Sequence, residues 1–207
     1  MDNEITIIVV VEYDHSGIKP VTYELLNAAR KLADKGKIIA LYFTDLENVD
    51  ESPLTYYGAD EIRICIHPDY HQYTHETYAA GLQSEIEKIQ PDIVLMPASN
   101  SGKELSAAVA TRLGVVVASD CIEVQRSEEG KVTIKRPVFA GKAYSLCKLS
   151  GPKPYLITLR PNCFRGEVAD ESRTSETTKV KVNLPEFLFP KLSREVGNVL
   201  DITEARI

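Results

Sequence analysis

The sequence predicts an α/β protein: a mostly parallel sheet with helices on both faces, plus an antiparallel β extension. Two observations carry this. Short β-branched apolar runs alternate with helical-period segments as far as residue 118. Beyond it the long helical patterns stop, and strand-like stretches follow one another across turns. Strand–helix–strand alternation implies right-handed crossovers and parallel pairing. Strands joined by short turns pair antiparallel.

The elements follow in order. "ITIIVVV" (5–11) has no polar face and reads as a strand buried on both sides. "PVTYELLNAARKLADKG" (20–36) carries Leu25, Leu26, Ala29 and Leu32 at helical spacing, with Pro20 suited to the helix start and Gly36 to its stop. "KIIALYF" (37–43) is the second strand. A short helix around Ser52–Tyr57 and a turn at Gly58 lead to the third, "EIRICI" (61–66). "THETYAAGLQSEIEKIQ" (74–90) is a long helix, "DIVLMP" (92–97) the fourth strand, and "GKELSAAVATRLG" (102–114) the next long helix. "SDCIEVQRS", "KVTIKRPVF", "AYSLCKLS" and "PYLITLR" are then strands divided by the turns "EEGK", "AGK" and "SGPKP". All strands between 119 and 160 are expected to be antiparallel to one another. Residues 165–180 are polar and read as a mobile loop or linker. Phe187, Leu188 and Phe189 are too apolar for a free tail and are expected to pack on something.

Composition removes several functional classes. The 207-residue chain has a formal net charge of −6, which gives no electrostatic reason to expect nucleic acid. No apolar run approaches the ~20 residues of a membrane helix. The start places acids before its apolar run and lacks a basic leader, unlike a targeting segment. Cys65, Cys121, Cys147 and Cys163 are scattered singly without a CxxC pair, as expected of reduced cytoplasmic thiols. The expectation is a cytoplasmic protein without metal, nucleic-acid or membrane partners.

One segment suggests ligand chemistry. "PASNSGKELSAAVATRLGVVVASD" (97–120) leaves a strand through Ser99, Ser101, Gly102 and Lys103 and enters a helix. In an open parallel sheet, ligands bind at the carboxyl ends of strands, and a helix start favours anions. A purely structural account is equally concrete: Ser101 as N-cap with Glu104 three residues later is a capping box. Both remain open on residue chemistry alone, since no Walker or GxGxxG pattern is present.

Other constellations are weaker. His67, His71 and His75 recur at four-residue spacing, but Pro68 breaks the helix that a metal face would need. Asp14 and His15 follow the first strand and read as a solvated loop. Asp120 and Arg136 are expected to pair across the extension, in a structural or interface role. No serine occupies a GxSxG elbow, so no hydrolase triad is argued.

The segments 20–36, "LYFTD", "YYGADEI", 92–124, "RPVFAGKA" and "LRPNCF" together resemble the N-terminal domain of the electron-transfer flavoprotein alpha subunit, in that family's order and spacing over roughly residues 3–165. Phe139, Ala140, Gly141 and Lys142 stand where that family usually reads Tyr-Ala-Gly-Asn. The resemblance implies a Rossmann-like fold of the adenine nucleotide alpha-hydrolase type. It implies a 1–164 domain, followed by a 165–207 linker towards an FAD-binding domain that this chain does not reach. FAD would belong to the full-length subunit, with none in this chain. The implied partner is a beta subunit, and the heterodimer would serve dehydrogenases and a quinone oxidoreductase. Arg136, Phe139, Gly141 and Lys142 become interface candidates, and Ser99, Ser101, Gly102 and Lys103 weak phosphate candidates. Apolar surface at 187–190 and on the antiparallel extension, left open by a missing domain or partner, predicts self-association of the isolated chain, disorder in 165–180, or both. The resemblance thus favours a docking domain without a catalytic site; the alternative is an adenine-nucleotide-binding module or hydrolase.

Overall fold

The computed structural model describes residues 4–186. Its elements are β1 (Thr6–Val10), β2 (Tyr13–Asp14), β3 (Gly17–Ile18), α1 (Pro20–Ala33), β4 (Lys37–Thr44), α2 (Ser52–Tyr56), β5 (Glu61–Ile66), a 3-10 turn (Pro68–His71), α3 (His75–Ile89), β6 (Ile93–Pro97), α4 (Asn100–Leu113), β7 (Val117–Cys121), β8 (Glu123–Arg126), β9 (Val132–Val138), β10 (Ala143–Lys148), β11 (Tyr155–Leu159) and β12 (Glu176–Lys181). Seven strands form one sheet in the order β12-β5-β4-β1-β6-β11-β7, every pairing parallel. β8, β9 and β10 form a separate antiparallel sheet in the order β10-β9-β8.

β1 shows why its sequence admits no polar position. Ile7 and Val9 enter a cluster with Leu25, Leu26, Ala29 and Leu32 of α1. Ile8 and Val10 enter the opposite cluster with Leu82, Ile86, Leu105 and Val109 of α3 and α4. A strand with helices on both faces is dry on both. The antiparallel sheet packs on the α1 side, where Val132 and Ile134 of β9 join the same cluster as Ile7.

Gly36 has a different role from the helix stop read in the sequence. Asp34 closes α1, at φ 54°, with its N–H on the Arg30 carbonyl. Gly36 instead lies against the chain entering β1: an added Cβ would stand 2.3 Å from the Ile5 carbonyl oxygen.

Two expectations are corrected. β7 and β11 are not antiparallel to their sequence neighbours; they pair with each other, parallel, in the main sheet. A parallel neighbour needs a crossover, and here residues 122–154, including the small antiparallel sheet, provide it in place of a helix. The polar stretch read as a loop also contains a strand. β12 pairs with β5 from Glu176↔Glu61 to Lys181↔Ile66. Its "ETTKVK" has few apolar residues because it is an edge strand whose side chains are mostly exposed. Side chains anchor its approach: Arg173 reaches Asp60 at 2.6 Å, and Asn27 takes the Glu167 N–H at 2.6 Å. The expectation for Phe187–Phe189 lies outside the described residues.

Candidate functional site

The chain advances across the sheet from β1 to β4 and β5, then returns to the other side of β1 at β6. Strand order therefore reverses between β1 and β6, the position where open α/β sheets hold ligands. Glu12 follows β1 there, and Ser99 to Lys103 follow β6.

The two segments close on each other. Ser99 Oγ donates to Glu12 Oε1 at 2.8 Å, and Ser101 Oγ donates to the same oxygen at 3.0 Å. Ser99, not Ser101, is the N-cap of α4: its Oγ accepts from the Gly102 N–H at 3.1 Å. The capping box is thereby corrected. Glu104 faces His75 at 3.5 Å instead. Gly102 is required by packing, because a Cβ there would lie 2.0 Å from the Pro97 carbonyl oxygen. Lys103 turns away, with Nζ 4.0 Å from Asp120 Oδ1. Three of the four phosphate candidates, Ser99, Ser101 and Gly102, are thus brought together, and a carboxylate of the same chain already engages both serine hydroxyls. The sequence reading missed Glu12; its signal was an acid directly after a buried strand.

A second constellation lies beneath the antiparallel sheet. Asp120 sits at φ 61° where the β7–β11 register shifts, a bulge that re-aims its side chain. Arg160 forks onto it, Nε to Oδ1 at 3.0 Å and Nη2 to Oδ2 at 2.6 Å. That hydrogen bonding holds the Asp120 carboxyl below the ordinary carboxylate value. The expected Asp120–Arg136 pair is therefore corrected: Arg160 of "LRPNCF" takes the aspartate, and the Arg136 Nε is buried with no hydrogen-bond partner. Asp120, Arg136, Phe139, Gly141 and Arg160 help line an open cleft of about 510 Å³. Its upper wall is the β9–β10 tip, where Phe139, Ala140 and Gly141 have φ of 51°, 53° and 85°. Phe139 is 79% exposed, Leu146 76% and Tyr144 60%. Tyr144 and Leu146 lie two apart on edge strand β10 and so share its outer face. Lys135 stands over the Tyr144 ring at 4.9 Å from its centroid.

The remaining candidates are placed locally. His67 Nδ1 accepts from the Asp69 N–H at 3.1 Å and caps the 3-10 turn, and His71 Nδ1 meets the Pro68 carbonyl at 3.0 Å. Among the described residues no group of three or more His, Cys, Asp or Glu is arranged to hold a metal ion. Asp14 accepts from Ser16 inside the small β2–β3 hairpin. Burial pushes the Cys121 thiol up to about 12 and the Cys65 thiol up as well, so neither is a ready nucleophile. Glu24, unremarked in the sequence, receives the Asn162 and Phe164 N–H groups at 3.1 Å and fixes the loop after Arg160. Among the described residues no helix is long and apolar enough to cross a membrane.

These features define a Rossmann-like α/β domain with an occupied switch point and an exposed antiparallel flap. The chain belongs to the electron transfer flavoprotein family, whose domain profile matches residues 7–185. Over 203 residues it is 28% identical to the electron transfer flavoprotein subunit alpha of Bacillus subtilis strain 168, covering 97% of this chain and 62% of that protein. It is 30% identical over 158 residues to protein FixB of Azorhizobium caulinodans, covering 74% and 43%. It is 32% identical over 162 residues to the LctC subunit of the NAD(+),ferredoxin lactate dehydrogenase of Acetobacterium woodii, covering 76% and 38%. The chain thus spans less than two thirds of the length of these curated relatives, and is an alpha-subunit-like domain of this family.

Proposed function

We propose that this chain is the N-terminal structural and docking domain of an electron-transfer flavoprotein alpha-type subunit, seated against a beta subunit through β8–β10, with no catalytic site of its own. The observation that carries this is the outer face of β10 and the adjoining tip, where Tyr144, Leu146 and Phe139 are among the most exposed large hydrophobic side chains of the described residues. Exposed apolar and aromatic groups clustered at a sheet edge mark an interaction surface. FAD is assigned to the rest of the full-length subunit, which passes electrons from dehydrogenases towards a quinone oxidoreductase. Supporting this, the switch-point residues do not fit a dinucleotide diphosphate: Glu12 takes both serine hydroxyls, and the Gly102 N–H donates to Ser99 Oγ. The same geometry disfavours an adenine-nucleotide module or hydrolase.

Mixing the chain with an electron transfer flavoprotein beta subunit from the same organism, followed by light scattering after gel filtration, is the test. A one-to-one colourless complex is expected, weakened by Leu146→Asp. The chain alone should self-associate at high concentration through the same face, and the beta subunit should compete that association away. A beta subunit that fails to bind overturns the docking assignment. Titrated AMP or phosphate should give no measurable binding, whereas Glu12→Ala, which frees Ser99 and Ser101, should admit phosphate in the millimolar range. Micromolar AMP binding by the unsubstituted chain would promote the nucleotide reading.

A further inference from the structure

We propose that the cleft under the β9–β10 tip is a carboxylate receptor: Arg136 accepts a Glu or Asp side chain presented by the docking polypeptide. This rests on the docking function proposed above and names the chemistry of that contact.

The argument starts from an imbalance. Three charged groups meet at the cleft: Asp120, Arg136 and Arg160. Arg160 engages both oxygens of Asp120, and Lys103 approaches the same aspartate from the α4 side. Arg136 makes no such fork. It stands at the centre of the small sheet, on β9 opposite Ser145, with its Nε buried and unpartnered. Buried polar atoms in native proteins are normally satisfied, because leaving a desolvated N–H without a partner is costly. A deficit of this kind at an interface is removed when the partner arrives.

The class of ligand follows from shape and charge. A guanidinium presents a planar donor fork that matches a carboxylate. Asp120 faces Arg136, Arg160 and Lys103, which leaves the cleft net positive and suits an anion. Asp120, kept ionised by Arg160, repels a phosphate dianion more strongly. The cleft is open to solvent, so its occupant can be a side chain carried on another surface. Its lining includes Phe139, which is largely exposed, and aromatic residues with arginine are the composition of interface hot spots. The tip itself is strained. Phe139 and Ala140 lie in the left-handed region without being glycine, a conformation that persists where surroundings impose it and that concentrates at functional sites.

The test measures the affinity of the whole chain for its beta subunit by titration calorimetry, with thermal unfolding of each variant alone. Arg136→Gln should weaken the complex by roughly 30-fold or more, as for loss of one partner of a desolvated ion pair. Arg136→Lys, which keeps the charge and loses the fork, should fall between. Because the Arg136 Nε makes no hydrogen bond in the free chain, neither variant should lower the melting temperature; a lowered one would mark a structural role and overturn the assignment. Arg136→Glu should be rescued by an acid-to-lysine change at one position of the beta subunit. Binding by the unsubstituted chain with unchanged affinity for Arg136→Gln defeats the carboxylate contact while leaving docking intact. No binding by the unsubstituted chain overturns both. Submillimolar binding of inorganic phosphate, lost in Arg136→Gln while the complex is unaffected, would reassign the cleft to a free anion.

Discussion

β6 and β10 are both short strands rich in apolar residues, yet the fold treats them in opposite ways. β6 lies between β1 and β11, and all five of its residues are buried. β10 lies at the edge of a three-stranded sheet with one face on the core, and its outer residues are exposed. Leu95 and Leu146 are the same side chain with different employment. Burying a leucine stabilises a fold by roughly 1.5–3 kcal/mol. One left in water contributes little to the monomer and is free to contribute to a complex. The parallel sheet therefore holds the molecule together, and the antiparallel flap is where it can meet another.

The sharpest way to break this comparison is to truncate both leucines. Leu95→Ala is expected to cost about 2–5 kcal/mol of unfolding free energy, read from urea denaturation. Leu146→Ala is expected to stay within about 0.5 kcal/mol of the parent while weakening the complex with a beta subunit. An equal cost at both positions would show that the flap is structural. Next in size is Gly102→Ala. Its methyl must displace the Pro97 carbonyl, and about 1–3 kcal/mol is expected for that overpacking. A smaller effect would mean that α4 shifts easily and that the cradle is soft.

The cap of α4 offers a finer discrimination. Ser99→Ala should cost about 1 kcal/mol, since Ser99 both caps Gly102 and donates to Glu12. Glu104→Ala should cost almost nothing, because Glu104 is not the partner of a capping box. The reverse order in a denaturation series would restore Ser101 and Glu104 as the cap. The smallest effect is electrostatic. The Arg160 fork lowers the folded pKa of Asp120 from its ordinary value of 3.8. The pair therefore stabilises the fold above that value and ceases to do so as pH falls through the lowered one. Asp120→Asn should cost at most about 1 kcal/mol near neutrality, given the solvent exposure of Arg160. The difference from the parent should shrink as pH falls through the lowered value and vanish below it. A cost that persists in acid would point to packing rather than charge.

What was legible in the sequence was what a residue's immediate neighbours determine. Strands 5–11, 37–43, 61–66 and 92–97 and the three long helices stand close to where their periodicity put them, because alternation reports which faces are dry. The segment at 97–104 was legible as a strand-to-helix turn for the same reason. Its chemistry was not: Glu12 lies 87 residues before Ser99, and nothing local signals that their side chains meet. Likewise the partner of Asp120 is Arg160, 40 residues on, rather than Arg136 of the neighbouring strand.

The family resemblance could be read from spaced motifs, since those record the order of elements. By itself, then, the sequence determined the α/β class, the strands and helices before residue 118, and the switch to short strands after it. Only the tertiary structure decided that β7 and β11 return to the parallel sheet, that the polar "ETTKVK" adds an edge strand, and that Glu12 engages the switch-point hydroxyls. Periodicity is a property of burial along one segment. Pairing, register and charge partnership are settled between segments, by which hydrogen-bond donors and acceptors remain to be satisfied once the core has closed.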